Sequence, residues 1–147
     1  MIDYKSFLFL DIDGVLATGK SAKPDKSNWF DNHAYPFDPE CVNVLNYILG
    51  ITNAKMIITS DWRFLYELDE MCDIFKFNKI IKSPKGYTPM LIERNDEITD
   101  FVSRKRISKF VIIDDLNLDC YKSRLIVTIP DQGLQMFHAD KIFKLLE

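Results

Sequence analysis

The chain has 147 residues, a formal net charge of −3, and a composition that is 47% hydrophobic and 28% charged. This length and composition are typical of one globular domain, which we expect to span residues 1–147, and they exclude a disordered chain. The negative charge argues against a protein that coats nucleic acid, because such proteins carry a large positive excess.

Short apolar runs alternate with helical patterns along the chain. This alternation predicts a parallel α/β sheet covered by helices on both faces. The predicted strands cover residues 7–10, 55–59, 79–82, 110–114 and 125–129. We therefore expect a three-layer α/β/α sandwich with a mostly parallel, Rossmann-like sheet.

Four helices are predicted from capping residues and from apolar residues at helical spacing. The first begins at Asp38-Pro39 and ends at Gly50, the second covers residues 62–75, the third runs from Thr88-Pro89 to about Arg104, and the last is capped by Asp131. Their apolar faces predict core packing rather than a cofactor site.

Residues 17–37 show no sustained periodicity and form a predicted loop of unusual length. Such loops are usually functional. This one contains cations beside aromatic residues: Lys20, Lys23, Lys26, Trp29 and Phe30.

The cysteines are Cys41, Cys72 and Cys120, and only two histidines are present. The odd number and wide spacing of the cysteines predict reduced thiols in a cytoplasmic protein rather than a disulfide framework or a zinc site. Apolar stretches fall short of the ~20 residues that cross a membrane, so we expect no membrane partner.

The first predicted strand is followed by Asp11 and Asp13, and then by Gly14. Ligands bind beyond the carboxyl ends of strands in open α/β sheets. Two close carboxylates repel each other, so their pKa values move apart unless a cation neutralises the charge. One carboxylate can then act as an ionised nucleophile while the other carries a proton to and from the substrate. A simple turn is the alternative; an EF-hand is excluded because its glutamate position holds Ala22.

Two other predicted strands end in polar residues. Thr59 and Ser60 directly precede a predicted helix. Their hydroxyl groups and the backbone N–H groups there can bind phosphate. Alternatively, the hydroxyl groups only cap the helix. The fourth strand ends in Asp114 and Asp115, with Asp119 four residues later. Carboxylates that face Asp11 would form a hard oxygen site suited to Mg²⁺.

Together these motifs resemble the haloacid dehalogenase (HAD) superfamily of phosphatases, in the family's order and over nearly the whole chain. The resemblance implies that Asp11 is the nucleophile of a phosphoaspartyl mechanism and that Asp13 is the general acid/base. It implies that Thr59 or Ser60 binds phosphate, and it implies Mg²⁺ as cofactor. The implied metal site contains Asp11, Asp13, Asp114, Asp115 and Asp119, with Asp115 the preferred direct ligand and Asp119 acting through water.

The family also implies a Lys or Arg before the fourth strand. Arg94 is our choice because it opens the helix that leads into that strand, while Lys85, Arg104 and Lys105 compete for the role. Arg63 is a further predicted phosphate ligand.

A narrower set of motifs resembles the small phosphatase domains of polynucleotide kinases and RNA-repair enzymes. It comprises Ser60-Asp61-Trp62-Arg63, Gly86 with Thr88-Pro89, Arg94 with Glu97-Ile98, and Asp114-Asp115. This resemblance implies removal of a terminal 3′-phosphate from a nucleic-acid end. A nucleotide or sugar phosphatase, or a non-catalytic phosphate-binding regulatory module, is the alternative. Because the 17–37 segment is too short for a helical cap domain, we expect a capless protein whose site is open or is covered by a partner.

Overall fold

A computed structural model describes residues 6–147, so the first five residues of the predicted domain lie outside the described part. Five strands form one sheet in the order β3-β2-β1-β4-β5, and all neighbouring strands are parallel. The strands are β1 Ser6–Leu10, β2 Lys55–Ile58, β3 Gly86–Tyr87, β4 Lys109–Asp114 and β5 Leu125–Val127.

Four α-helices accompany the sheet. They are α1 Pro39–Thr52, α2 Leu68–Phe77, α3 Arg94–Lys105 and α4 Ala139–Leu145. Short 3-10 helices cover Lys26–Asn28, Asp61–Phe64, Asp119–Arg124 and Met136–His138. The start of α1 follows the prediction: the Asp38 side chain accepts a hydrogen bond from the Glu40 N–H, and Pro39 takes the first helical position.

Alternate residues of the central strands enter two separate cores. In β1, Leu8 and Leu10 pack into the core formed with α1, α2 and α4, whereas Phe9 packs into the core formed with α3. Both faces of the sheet are therefore covered by helices, as the continuous apolar runs predicted. The three-layer α/β/α class is confirmed, and the described sheet is wholly parallel.

The predicted strand at residues 79–82 is wrong. Lys79 has a φ of +64°, which a strand cannot accommodate, and the Lys79 and Ile80 N–H groups bond back to carbonyls of α2. The edge position of the sheet is instead taken by β3, Gly86–Tyr87, which pairs with Ile57 and Ile58.

Three predicted helix boundaries also differ from the structure. The 62–75 helix divides into the Asp61–Phe64 turn and α2, and α3 begins at Arg94 rather than Thr88. Thr88 is extended instead, because its N–H donates to the Ile58 carbonyl at 3.1 Å and continues the sheet pairing. Helix α1 continues through Gly50 to Thr52. The residue that follows it, Asn53, has a left-handed conformation and ends the helix.

Asp131 does not cap the last helix, which begins eight residues later at Ala139. The segment between β1 and α1 contains one short 3-10 helix, Lys26–Asn28, and no helical cap domain. The three cysteines are free thiols. Among residues 6–147, the helices are too short or too polar to cross a membrane.

Candidate active site

The candidate site lies where the chain connections leave the sheet in opposite directions. Strands β2 and β3 lie on one side of β1, and β4 and β5 lie on the other. Asp11 follows β1 and Asp114 ends β4, and the Asp11 N–H donates to the Ile113 carbonyl at 3.1 Å. Ligand crevices in open α/β sheets form at such a switch point.

Three carboxylates cluster at this point. Asp11, Asp114 and Asp115 each offer an oxygen, and these oxygens lie within 4.8 Å of one another. Burial and the neighbouring Asp114 raise the pKa of Asp11 to about 8, and burial also raises the pKa of Asp114. These crowded oxygen donors could hold a divalent cation, which would favour the ionised carboxylates.

Arg94 supplies the positive charge inside this cluster. Its Nη1 lies 2.6 Å from Asp114 Oδ2 and 3.8 Å from Asp11 Oδ2, and its Nη2 lies 3.8 Å from Asp61 Oδ1. Burial alone would lower the pKa of Arg94, but Asp114 and Asp11 raise it above its ordinary value. The guanidinium therefore stays charged beside the carboxylates.

The competing basic residues lie elsewhere. Arg104 is ten residues along α3 from Arg94, which corresponds to about 15 Å, and it pairs with Asp100 at 2.7 Å. Lys105 ends the same helix. Lys85 precedes β3 and its N–H bonds to the Met56 carbonyl, two residues before the end of β2. Of the four candidates, Arg94 is the one that the fold brings to the carboxylates.

Asp13 is held by two side chains that the sequence did not connect with it. The Tyr35 hydroxyl donates to Asp13 Oδ1, and Trp62 Nε1 donates to Oδ2 at 3.2 Å. Burial and the bond to Asp13 raise the pKa of Tyr35, so its hydroxyl stays a donor. Trp62 follows the Thr59-Ser60 motif closely enough to have been suspected, but Tyr35 lies in the long loop without a local signal.

Thr59 and Ser60 differ in what their hydroxyl groups contact. Thr59 is fully buried, and its Oγ1 has no hydrogen-bond partner within residues 6–147. Ser60 Oγ accepts from the Trp62 N–H at 3.2 Å and caps the Asp61–Phe64 turn. Ser60 therefore has the capping role, and Thr59 has the hydroxyl that is left without a protein partner among residues 6–147.

The structure contradicts the prediction that Arg63 binds phosphate. Its side chain is fully buried. Its donors are used inside the protein, on the Ser60 carbonyl at 2.8 Å, the Thr88 carbonyl at 2.6 Å and the Glu97 carboxylate at 3.0 Å. Arg63 joins protein segments behind the site.

Asp119 does not join the carboxylate cluster. It begins the Asp119–Arg124 turn, its side chain is 80% exposed, and one of its oxygens lies 3.9 Å from Lys122 Nζ. The turn after β4 carries Asp119 into solvent, which the spacing from Asp115 did not reveal.

Gly14 allows the chain to pass close to the cluster. Its φ is +79°, and a Cβ atom built on it would lie 2.5 Å from Asp115 Oδ2. Its carbonyl accepts from Thr128 Oγ1 at 2.6 Å, which ties this turn to the segment after β5. A side chain at position 14 would push Asp115 out of the cluster.

We predict that Gly14→Ala lowers the free energy of unfolding by roughly 1–3 kcal/mol, because the new methyl group meets Asp115 and the backbone is strained. The matched control is Gly50→Ala, since Gly50 lies inside α1 with open space around it. This control should gain about 0.5–1 kcal/mol. Urea unfolding measures both changes, and equal effects of the two substitutions would contradict the close packing at Gly14.

A family model described as the HAD domain in Swiss Army Knife RNA repair proteins matches residues 7–139. The matched range includes Asp11, Asp13, Thr59, Arg94 and Asp115, so the whole candidate site lies within it. Comparisons with curated proteins and with solved structures gave no match. Because the match covers nearly the whole chain, the protein belongs to the family of HAD domains found in Swiss Army Knife RNA repair proteins.

Proposed function

We propose that this HAD domain is a magnesium-dependent phosphomonoester hydrolase in which Asp11 attacks the phosphorus atom. The observation that carries the proposal is the buried Asp11, in contact with Arg94 and clustered with Asp114 and Asp115 at the switch point of the sheet. A phosphatase-type activity agrees with the family. The cation, the phosphoaspartyl intermediate and the substrate are further parts of the proposal.

Asp11, Asp114 and Asp115 fit a divalent cation, because each offers a hard oxygen ligand and the pKa values of Asp11 and Asp114 are raised without one. We propose the Asp13 backbone carbonyl as a further ligand. All of these donors are oxygens, which favours Mg²⁺ over zinc. When bound, Mg²⁺ would neutralise the charge that repels a nucleophile from a phosphate dianion.

The protein groups then divide the reaction between them. An Asp11 carboxylate oxygen attacks phosphorus, the bond to the ester oxygen breaks, and Asp13 gives that oxygen a proton. Water next attacks the phosphorus atom and Asp13 takes a proton from the water. The bond from phosphorus to the Asp11 oxygen breaks, so phosphate leaves and the Asp11 carboxylate is restored. Arg94 and the free Thr59 hydroxyl would donate to the phosphoryl oxygens, where negative charge has to be stabilised. Tyr35 and Trp62 fix the orientation of Asp13.

Two other functions would use the same site. A nucleotide or sugar phosphatase would need every residue of this mechanism, and substrate competition separates it from a polymer-end phosphatase. A non-catalytic phosphate-binding module would be expected to lack at least one reacting carboxylate, whereas Asp11, Asp13, Asp114 and Asp115 are all present.

We extend the proposal to a nucleic-acid end that carries a 3′-phosphate. Lys26 Nζ lies 5.1 Å from the centroid of the Trp29 ring, and Trp29 contacts the Tyr35 ring edge-to-face at 5.6 Å. Tyr35 bonds to Asp13, the proton donor for the leaving oxygen. Aromatic rings beside a cation can stack a terminal base and hold a backbone phosphate, so this group is suited to a leaving nucleoside.

The structure changes which loop residues support this substrate. Phe30 packs edge-to-face on Phe77, with ring centroids 5.6 Å apart, so Tyr35 replaces it as the second aromatic residue near the site. Lys20 Nζ lies 3.9 Å from Asp38 Oδ2 and is partly neutralised. Lys26 is thus the loop lysine that we choose for this role, because it lies over the Trp29 ring.

We predict that Asp11→Asn lowers kcat by at least ~10³-fold, because the amide cannot act as an anionic nucleophile. Release of inorganic phosphate by the folded protein with Mg²⁺ measures the loss. Asp100→Asn, an acid-to-amide change in the middle of α3 at a residue that pairs with Arg104, is the matched control and should keep wild-type activity. Activity of the Asp11→Asn protein within tenfold of wild type would exclude Asp11 as the nucleophile.

Metal binding should change how stability depends on pH. Because the pKa of Asp11 rises from its ordinary 3.8 to about 8 on folding, the folded protein keeps a proton that the unfolded chain loses. The free energy of unfolding of the metal-free protein should therefore fall from about pH 4 to pH 8. Mg²⁺ requires the ionised carboxylate, so it should stabilise the protein more at pH 8 than at pH 5. At 100 times its Kd at pH 8, the stabilisation should be about 2.7 kcal/mol.

Urea unfolding at both pH values, with Mg²⁺ or with EDTA, measures this effect. Asp11→Asn should reduce the pH dependence of the metal-free protein and weaken the response to Mg²⁺. If Mg²⁺ changes the unfolding midpoint equally in the wild type and in Asp11→Asn, the cation does not bind at this carboxylate.

The substrate proposal predicts a higher kcat/KM for a 3′-phosphorylated oligonucleotide than for a 3′-mononucleotide or a sugar phosphate. Lys26→Ala should reduce that advantage and leave the sugar phosphate rate unchanged, because this cation acts on the polymer alone. The advantage should also shrink as salt rises, with the shallow slope of a few phosphate contacts. Equal kcat/KM for all three substrates would favour a metabolite phosphatase.

A further inference from the structure

Arg94 is held from a second side, away from the carboxylate cluster. Glu97 lies one turn further along α3, and its Oε1 is 3.6 Å from Arg94 Nε. Glu97 is a buried residue, and a glutamate is rarely found inside a protein unless it is paired. The proposed reaction uses Arg94 but gives Glu97 no task.

The other oxygen of Glu97 is also fully engaged. Glu97 Oε2 accepts from Arg63 Nη2 at 3.0 Å and from the Leu91 N–H at 3.0 Å. Arg63 in turn donates to the carbonyls of Ser60 and Thr88, which follow β2 and β3. A continuous buried network thus runs from two strand ends, through Arg63 and Glu97, to Arg94.

We propose that Glu97 is the positioning residue for Arg94 and that Arg63 holds Glu97 in place. Arg94 has competing partners: Asp114 and Asp11 attract it inward, and the exposed Asp61, 3.8 Å from Nη2, attracts it toward solvent. The buried carboxylate 3.6 Å from Nε attracts that end of the guanidinium by charge, so that Nη1 stays 2.6 Å from Asp114. Without the Glu97 carboxylate, the Arg94 side chain would alternate between a conformation that contacts the cluster and one that contacts Asp61.

This inference rests on the proposed phosphatase function, so its test begins with Glu97→Gln. The amide oxygen still accepts from Arg63 and Leu91 but brings no negative charge to Arg94. We expect kcat for p-nitrophenyl phosphate with Mg²⁺ to fall by roughly 10–100-fold, the usual range for a supporting residue around a site. Asp100→Asn on the same helix is the control and should leave kcat unchanged.

A double-mutant cycle separates positioning from a general structural effect. If Glu97 acts through Arg94, Glu97→Gln should cause no further loss of kcat in an Arg94→Ala background. An equal loss in both backgrounds, or a Glu97→Gln protein within twofold of wild type, would overturn the proposal. Should Glu97→Gln fail to fold, Arg63→Lys gives the same cycle, because it keeps the charge but loses the forked hydrogen bonds.

A spectroscopic measurement keeps the inference testable apart from activity. In the wild type, the ¹H–¹⁵N signal of the Arg94 Nε–H group should be sharp and slow to exchange with solvent, and Glu97→Gln should broaden it or speed its exchange. An unchanged signal would overturn the positioning role. An inactive wild type with a protected, Glu97-dependent signal would instead refute the phosphatase function and leave the positioning contact intact.

Discussion

The charge balance around Arg94 is the constraint on which the rest of the site depends. Two buried carboxylates, Asp11 and Asp114, and the partly buried Asp115 meet where β1 and β4 end, and their mutual repulsion would destabilise the sheet edge without a cation. Arg94 offsets part of this charge, but the pKa of Asp11 remains raised beside it. Arg94 thus leaves part of the repulsion uncompensated, and the cluster of oxygen donors could hold a second, exchangeable cation.

The reacting groups are held in two different ways. Asp11 and Thr59 continue the sheet pairing, with their N–H groups bonded to the Ile113 and Leu10 carbonyls, so the sheet fixes their positions. Asp13 is exposed and depends on side chains from two other segments, Tyr35 and Trp62. The proposed nucleophile and the proposed phosphate-binding hydroxyl thus lie on rigid elements, whereas the proposed proton donor is coupled to the loop. Changes in that loop should alter which leaving groups are accepted without moving the nucleophile.

The sequence predicted the parts of the site that depend on strand ends. Asp11, Thr59 and Asp114 each follow an apolar run, and parallel pairing alone brings such ends together. The sequence did not predict the parts of the site whose positions depend on tertiary contacts. Arg63 is a residue type that often binds phosphate, but its N–H groups donate to backbone carbonyls of the protein. No local sequence pattern could show this. Tyr35 reaches Asp13 across 22 positions of irregular loop, and the short edge strand β3 lacks the apolar run that marks the central strands.

Charge also decides from which side a polymer would approach. A cavity of about 510 Å³ opens beside Arg94, and its exposed residues include Asp61, Glu93 and Ile92, the last 98% exposed. The acids on that side would repel a phosphate backbone. The loop that contacts Asp13 instead presents Tyr35 and Trp29 with Lys26 over the Trp29 ring. Under the proposed function, a nucleic-acid strand would therefore lie along the loop, which places its terminal leaving oxygen on the side of Asp13 where the proton has to be delivered.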